Sequence, residues 1–141
     1  MIIVDTSGLL AALDASEPHH RAAAGALRSV GGPRLLSPFV LAELDYLLGT
    51  RVAAAAQRAL LREVAAGAYQ LEPFGADDVA AAAAVLDRCP TIELGLADAS
   101  LVVLAERHDV LDILTLDERH FRALRGPGGR PFRIVPADLA A

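Results

Sequence analysis

A chain of 141 residues with 54% hydrophobic and 22% charged content is the size of one domain and buries roughly 68–70% of its unfolded surface, which excludes disorder and any need for disulfide staples. Its net charge of −5, 4% aromatic content without Trp, and single cysteine, Cys89, argue against holding nucleic acid by bulk charge alone, against stacking platforms of the RNA-recognition or single-strand-binding kind and against a Cys-rich zinc site. All 13 basic residues are arginine, so P-loop, Schiff-base and receiver-lysine chemistry are excluded as well.

In chain order, Ile2-Ile3-Val4 is a short apolar run, the signature of a strand buried on both faces. Asp5-Thr6-Ser7-Gly8 ends it, and Leu9–Leu13 reads as a short helix. Ser16-Glu17-Pro18 marks a helix start, and the helix runs to about Val30, before Gly31-Gly32-Pro33. Arg34–Leu36 is a second strand, and Ser37-Pro38 caps a helix from Phe39 to near Gly49. A further helix spans about Val52 to Ala66, with Gly67 as its stop, and Tyr69–Leu71 is a third strand. Asp77 and Asp78 start an alanine-rich helix that ends before Pro90, and Leu96–His108 forms the next. Val110–Leu116 holds a strand, Glu118–Leu124 a short helix, Gly126–Gly129 a turn, and Pro131–Val135 the last strand.

Short apolar strands separated by helices predict an α/β fold with a mainly parallel sheet. Sites in such folds lie outside the carboxyl ends of the strands. Acids stand there: Asp5 after the first strand, Asp117 after the strand ending at Leu116. Glu43 shares helical spacing with Val40, Leu44 and Leu47, and Asp98 with Leu101, Val102 and Ala105, so both are expected on inward stripes. Buried carboxylates need a partner or a cation, and no arginine falls at i±3 or i±4 on either stripe. Oxygen-only ligands select a hard ion, Mg2+ or Mn2+, of the kind used in phosphodiester hydrolysis. Singly, Asp5 and Asp117 also read as ordinary cap or turn residues; the set of four carries the reading.

The segments MIIVDTSGLL, SPFVLAELDYLL, GLADASLVVLA and ILTLDERHF, in that order, resemble the PIN-domain ribonucleases, in particular the VapC-type toxins of bacterial toxin–antitoxin pairs. The resemblance covers residue 1 to about 136, which implies a single PIN domain over 1–136 and a short tail over 137–141. It implies a three-layer α/β/α sandwich around a central, mainly parallel sheet of four or five strands. It also implies a Mg2+- or Mn2+-dependent endoribonuclease leaving 5′-phosphate and 3′-hydroxyl ends, with tRNA or ribosomal RNA loops as targets. Asp5, Glu43, Asp98 and Asp117 match its acidic quartet, with Asp5 and Asp98 as the principal metal ligands; Glu43 and Asp117 complete the ion shell or orient the attacking water. Further implications are a cytoplasmic location, a homodimer, and a small VapB-type antitoxin whose C-terminal segment covers the acidic pocket.

Thr6, Ser7 and Thr115 could hold water, metal or phosphate through their hydroxyls, or simply bond the local backbone. Arg119, Arg122, Arg125, Arg130 and Arg133 crowd the C-terminal part and could form a phosphate-binding wall, Arg119 standing nearest Asp117. His120, near Asp117, could contact substrate, but a packed or surface histidine is the favoured reading over a ligand. A non-catalytic RNA- or protein-binding PIN module is the rival reading. A phosphoryl-transfer domain of the phosphatase or receiver kind fits less well, because Ser7 replaces its second acid and its lysine is missing.

Overall fold

The strand Ile2–Val4 (β1) is completely buried, and an apolar tripeptide of this kind is stable only between two neighbours and under helices on both faces. The computed structural model describes residues 1–139. It pairs β1 in parallel with Arg34–Leu36 (β2) on one side and Asp112–Leu114 (β4) on the other. Gln70–Leu71 (β3) and Arg133–Val135 (β5) form the edges, giving five parallel strands in the order β3-β2-β1-β4-β5. The expectation of four or five mainly parallel strands is met at five.

Seven α-helices connect and flank the sheet among the described residues: Thr6–Leu13 (α1), His20–Ser29 (α2), Pro38–Leu47 (α3), Ala54–Ala65 (α4), Ala76–Arg88 (α5), Leu96–His108 (α6) and Glu118–Ala123 (α7). The expected helices are all present, with shifted ends. α1 begins directly after Asp5 instead of at Leu9, because Gly8 lets its first turn lie on the end of β4: a Cβ there would stand 2.4 Å from the Leu114 carbonyl oxygen. α2 begins at His20 because Asp14 holds Ser16 in a local turn, its carboxylate accepting from the Ser16 N–H and hydroxyl. Ser37 caps α3 by accepting from the Phe39 N–H, with Pro38 at the first helical position, as its sequence predicts.

Between α3 and α4 the chain makes a π-helical turn, Leu48–Val52, instead of a break. β4 stops at Leu114 rather than Leu116, and β5 starts at Arg133 rather than Pro131. Beyond β5, Ala137–Leu139 forms a 3-10 turn in which Asp138 accepts from the Ile134 N–H; residues 140–141 of the expected tail lie outside the described residues. Cys89 is half-buried. No helix of the described residues is long and apolar enough to cross a membrane.

Candidate active site

Asp5 emerges where β1 ends, and its backbone N–H still bonds the Leu114 carbonyl of β4. Its side chain is only 6% exposed. The carboxylate accepts from the Thr115 hydroxyl at 2.6 Å and from the Ser7 hydroxyl at 3.2 Å. Those hydroxyls are themselves held: Thr115 Oγ1 accepts from the Asp117 N–H and Ser7 Oγ from the Leu116 N–H, both at 2.9 Å. The shortened β4 is what frees Thr115 for this role. Burial pushes the Asp5 carboxyl up to about 6, opposed by the Thr115 bond and reinforced by the charge of Asp98.

Asp98 stands in the first turn of α6, where its carboxylate accepts from the Gly95 N–H. Burial holds its carboxyl above the usual range, against the Gly95 bond and His120, while Asp117 and Glu43 add repulsion. Asp98 thus repels Asp5, Asp117 and Glu43 alike, and these three acids cluster around it beyond the carboxyl edge of the sheet. Asp117 caps α7, accepting from the His120 N–H at 3.1 Å.

Glu43 corrects the inward-stripe expectation. It is exposed, since Val40 and Leu44 carry the buried face of α3 and Glu43 lies at its border. It is aimed at the cluster by the Thr6 hydroxyl, which donates to Oε1 at 2.7 Å. All three hydroxyls singled out in the sequence thus bond carboxylates of the cluster.

The phosphate-wall expectation is also corrected. Arg122 pairs with Glu118 and Asp138, Arg130 with Asp109, and Arg133 with Asp112, so these three guanidiniums are engaged within the chain. Arg119 and Arg125 are exposed and, among the described residues, form no ion pair.

Sequence reasoning noted His120 near Asp117 as a candidate substrate contact but missed its place between Asp117 and Asp98. Its Nδ1 lies 2.8 Å from Asp117 Oδ2 and 3.6 Å from Asp98 Oδ2, an ion-pair approach without hydrogen-bond alignment. The i,i+3 spacing from Asp117 was the available signal. Also missed was Ser100, whose buried hydroxyl meets that of Ser37 at 2.7 Å and ties α6 to the start of α3.

The donors are suited to a hard cation: carboxylate and hydroxyl oxygens, with repulsion that a cation would relieve. Among the described residues no three acid, histidine or cysteine side chains close on one point. Such an open arrangement matches an ion that keeps several waters and takes only one or two carboxylates.

The PIN domain family model matches residues 2–127. The chain is 47% identical over 135 residues to Ribonuclease VapC26 of Mycobacterium tuberculosis (strain ATCC 25618 / H37Rv), covering 96% of this chain and 100% of that protein. Its fold is similar to that of Mycobacterium tuberculosis VapC20, a sarcin-ricin loop cleaving toxin, with a TM-score of 0.80, 24% identity, and 87% of this chain and 95% of that chain covered. It is also similar to VapBC2 from Rickettsia felis bound to a promoter DNA fragment, with a TM-score of 0.65, 16% identity, and 95% and 98% covered. The buried Asp5 at the end of β1, the acids gathered around it and the near-full-length match lead to one assignment: the chain belongs to the PIN domain family, as a ribonuclease of the VapC group.

Proposed function

We propose that the acidic cluster cuts RNA phosphodiester bonds with the help of Mg2+ or Mn2+, and that this activity makes the protein the toxin of a toxin–antitoxin pair. The carrying observation is Asp5, a nearly buried carboxylate raised to about 6 by its burial and by Asp98. In this reading Asp5 and Asp98 hold the ion. When bound, such an ion acidifies a coordinated water and polarises a phosphate oxygen. Thr115 and Ser7 fix the Asp5 carboxylate so that little reorganisation is needed at the moment of reaction. Glu43, aimed by Thr6, and Asp117 complete the ion's surroundings or orient the attacking water. Arg119, exposed beside the cluster on α7, contributes a substrate phosphate contact. Cleavage leaves 5′-phosphate and 3′-hydroxyl ends, and the substrates are tRNA or ribosomal RNA loops in the cytoplasm.

The VapBC structures from Rickettsia felis and Salmonella typhimurium support a VapB-type antitoxin as partner; in this reading the antitoxin covers the acidic pocket and the protein self-associates as a homodimer, as the family resemblance implies. The test is incubation of the purified protein with structured RNAs and Mg2+ or Mn2+, with and without EDTA, beside Asp5→Asn and Asp98→Asn. Cleavage should need the metal and fall by at least about 100-fold in each variant. Cutting in EDTA, or full activity in both variants, overturns the reading. A monomer alone at micromolar concentration in sedimentation overturns the dimer.

A further inference from the structure

Four arginines of this acidic chain are paired with acids among the described residues. Arg107 is held by Glu72 and Asp78, and Arg122, Arg130 and Arg133 by the acids named above. On the hairpin formed by α3, the π-helical turn and α4, Arg51, Arg58 and Arg62 are all exposed and, among the described residues, form no ion pair.

Helical geometry places two of these on one face. Gln57 of α4 donates to Asp45 of α3 at 2.8 Å, which fixes the sides the two helices turn to each other. Leu60, buried at 2%, marks the core side of α4. At about 100° per residue, Arg58 and Arg62 lie next to each other on the side away from Leu60. On α3 the same construction, with Val40 and Leu44 marking the core side, puts Tyr46 on the solvent face between the α4 side and Glu43. Asp45 and Glu63 lie on other sides of the hairpin: Asp45 in the seam, against Gln57, and Glu63 in a groove with Leu13 and Leu48.

Tyr46 is 68% exposed, whereas Tyr69, Phe121 and Phe132 are buried and Phe39 and Phe74 pack edge to face. It stands one helical turn from Glu43, which Thr6 ties to the acidic cluster. An exposed aromatic beside guanidiniums free to bind is the composition that receives single-stranded RNA, bases on the ring and phosphates on the arginines. Resting on the ribonuclease reading above, we infer that the solvent face of the α3–α4 hairpin is the track along which the RNA strand reaches the site, with Tyr46 stacking on a base near the scissile phosphate and Arg58 and Arg62 holding backbone phosphates. The polyanion is favoured over an apolar protein segment because the face presents two exposed guanidiniums that form no ion pair among the described residues and leads towards Glu43.

The experiment compares wild type, Tyr46→Leu, Tyr46→Phe, the double variant Arg58→Ser/Arg62→Ser and its lysine counterpart, cutting a labelled RNA hairpin with a single-stranded loop at several salt concentrations. Binding of the same RNA is followed on the Asp98→Asn background. Tyr46→Leu and the double serine variant should each raise KM roughly tenfold with kcat changed less than about twofold. The double serine variant should flatten the log–log salt slope of binding by about 1.4, two phosphate contacts at ~0.7 each. Tyr46→Phe should restore the wild-type KM, and the lysine pair the salt slope. Unchanged KM and slope in variants of a wild type that cuts would overturn the track and leave the ribonuclease reading standing. Intact RNA kinetics with lost inhibition by the antitoxin would give the face to a protein partner and likewise overturn it. A wild type that neither binds nor cuts the hairpin and structured RNAs would remove the ribonuclease reading and the track with it.

Discussion

Asp5 loses more than it gains on folding while no cation accompanies it. Its carboxyl stands at about 6 against an ordinary 3.8. A raised folded-state value means that the folded protein holds the proton more tightly than the unfolded chain. The contribution is therefore complete below about pH 4 and is lost as pH rises to about 6, a difference of roughly 3 kcal/mol by linkage. In EDTA, Asp5→Asn should accordingly raise Tm at pH 8 and leave it nearly unchanged at pH 4, as read by thermal unfolding at the two pH values. Thr115→Val removes the 2.6 Å bond to Asp5 and strands the Asp117 N–H, which should cost about 1–3 kcal/mol in urea unfolding and lower kcat. At this scale the sequence is legible where a residue violates its local pattern: Asp5 breaks an apolar run, and Asp98 interrupts an apolar helix. Glu43 and His120 were harder to read, because their aim depends on Thr6 and on the seating of α7, contacts across 37 residues of chain and between helices.

Among elements, the junction of β1, α1 and β4 decides whether the cluster exists. Gly8 admits the Leu114–Thr115 backbone against α1, with a Cβ predicted 2.4 Å from one backbone oxygen and 2.8 Å from a backbone nitrogen. Backbone has little freedom to retreat, so Gly8→Ala should destabilise by about 1–3 kcal/mol and reduce cleavage together, measured by unfolding and by initial rates on one preparation. A second junction lies away from the site. Glu72, buried after β3, is held below the usual carboxylate range because bonds from Gln70, His108 and Arg107 outweigh its desolvation, and Arg107 also reaches Asp78 at the start of α5. Helices were legible from caps and periodicity, as at Ser37-Pro38. Strands of two or three residues were not bounded as well, since pairing partners rather than propensity end them: β4 stops where Thr115 turns to Asp5. The π-helical turn left no composition signal, as Gly49 and Val52 read equally well as a break.

For the molecule as a whole, the alternation of short apolar strands with helices was enough to give a parallel α/β architecture, and the family resemblance supplied the rest. Which arginines stay unpaired was hidden, because Asp109, Asp112 and Asp138 find their guanidiniums only in the folded chain. Since Asp5, Glu43, Asp98 and Asp117 come from separate elements that meet only in the folded chain, Mn2+ should bind the folded state alone. At a hundredfold over its Kd it should add about 2.7 kcal/mol, seen as a higher Tm that Asp98→Asn abolishes. The central position of β1 has a consequence for synthesis. β1 is flanked by β2 and by β4, and β4 is made only with residues 112–114. Asp5 thus waits for Thr115 and Asp117 until more than a hundred further residues have been made, so a nascent chain abandoned before them is unarmed.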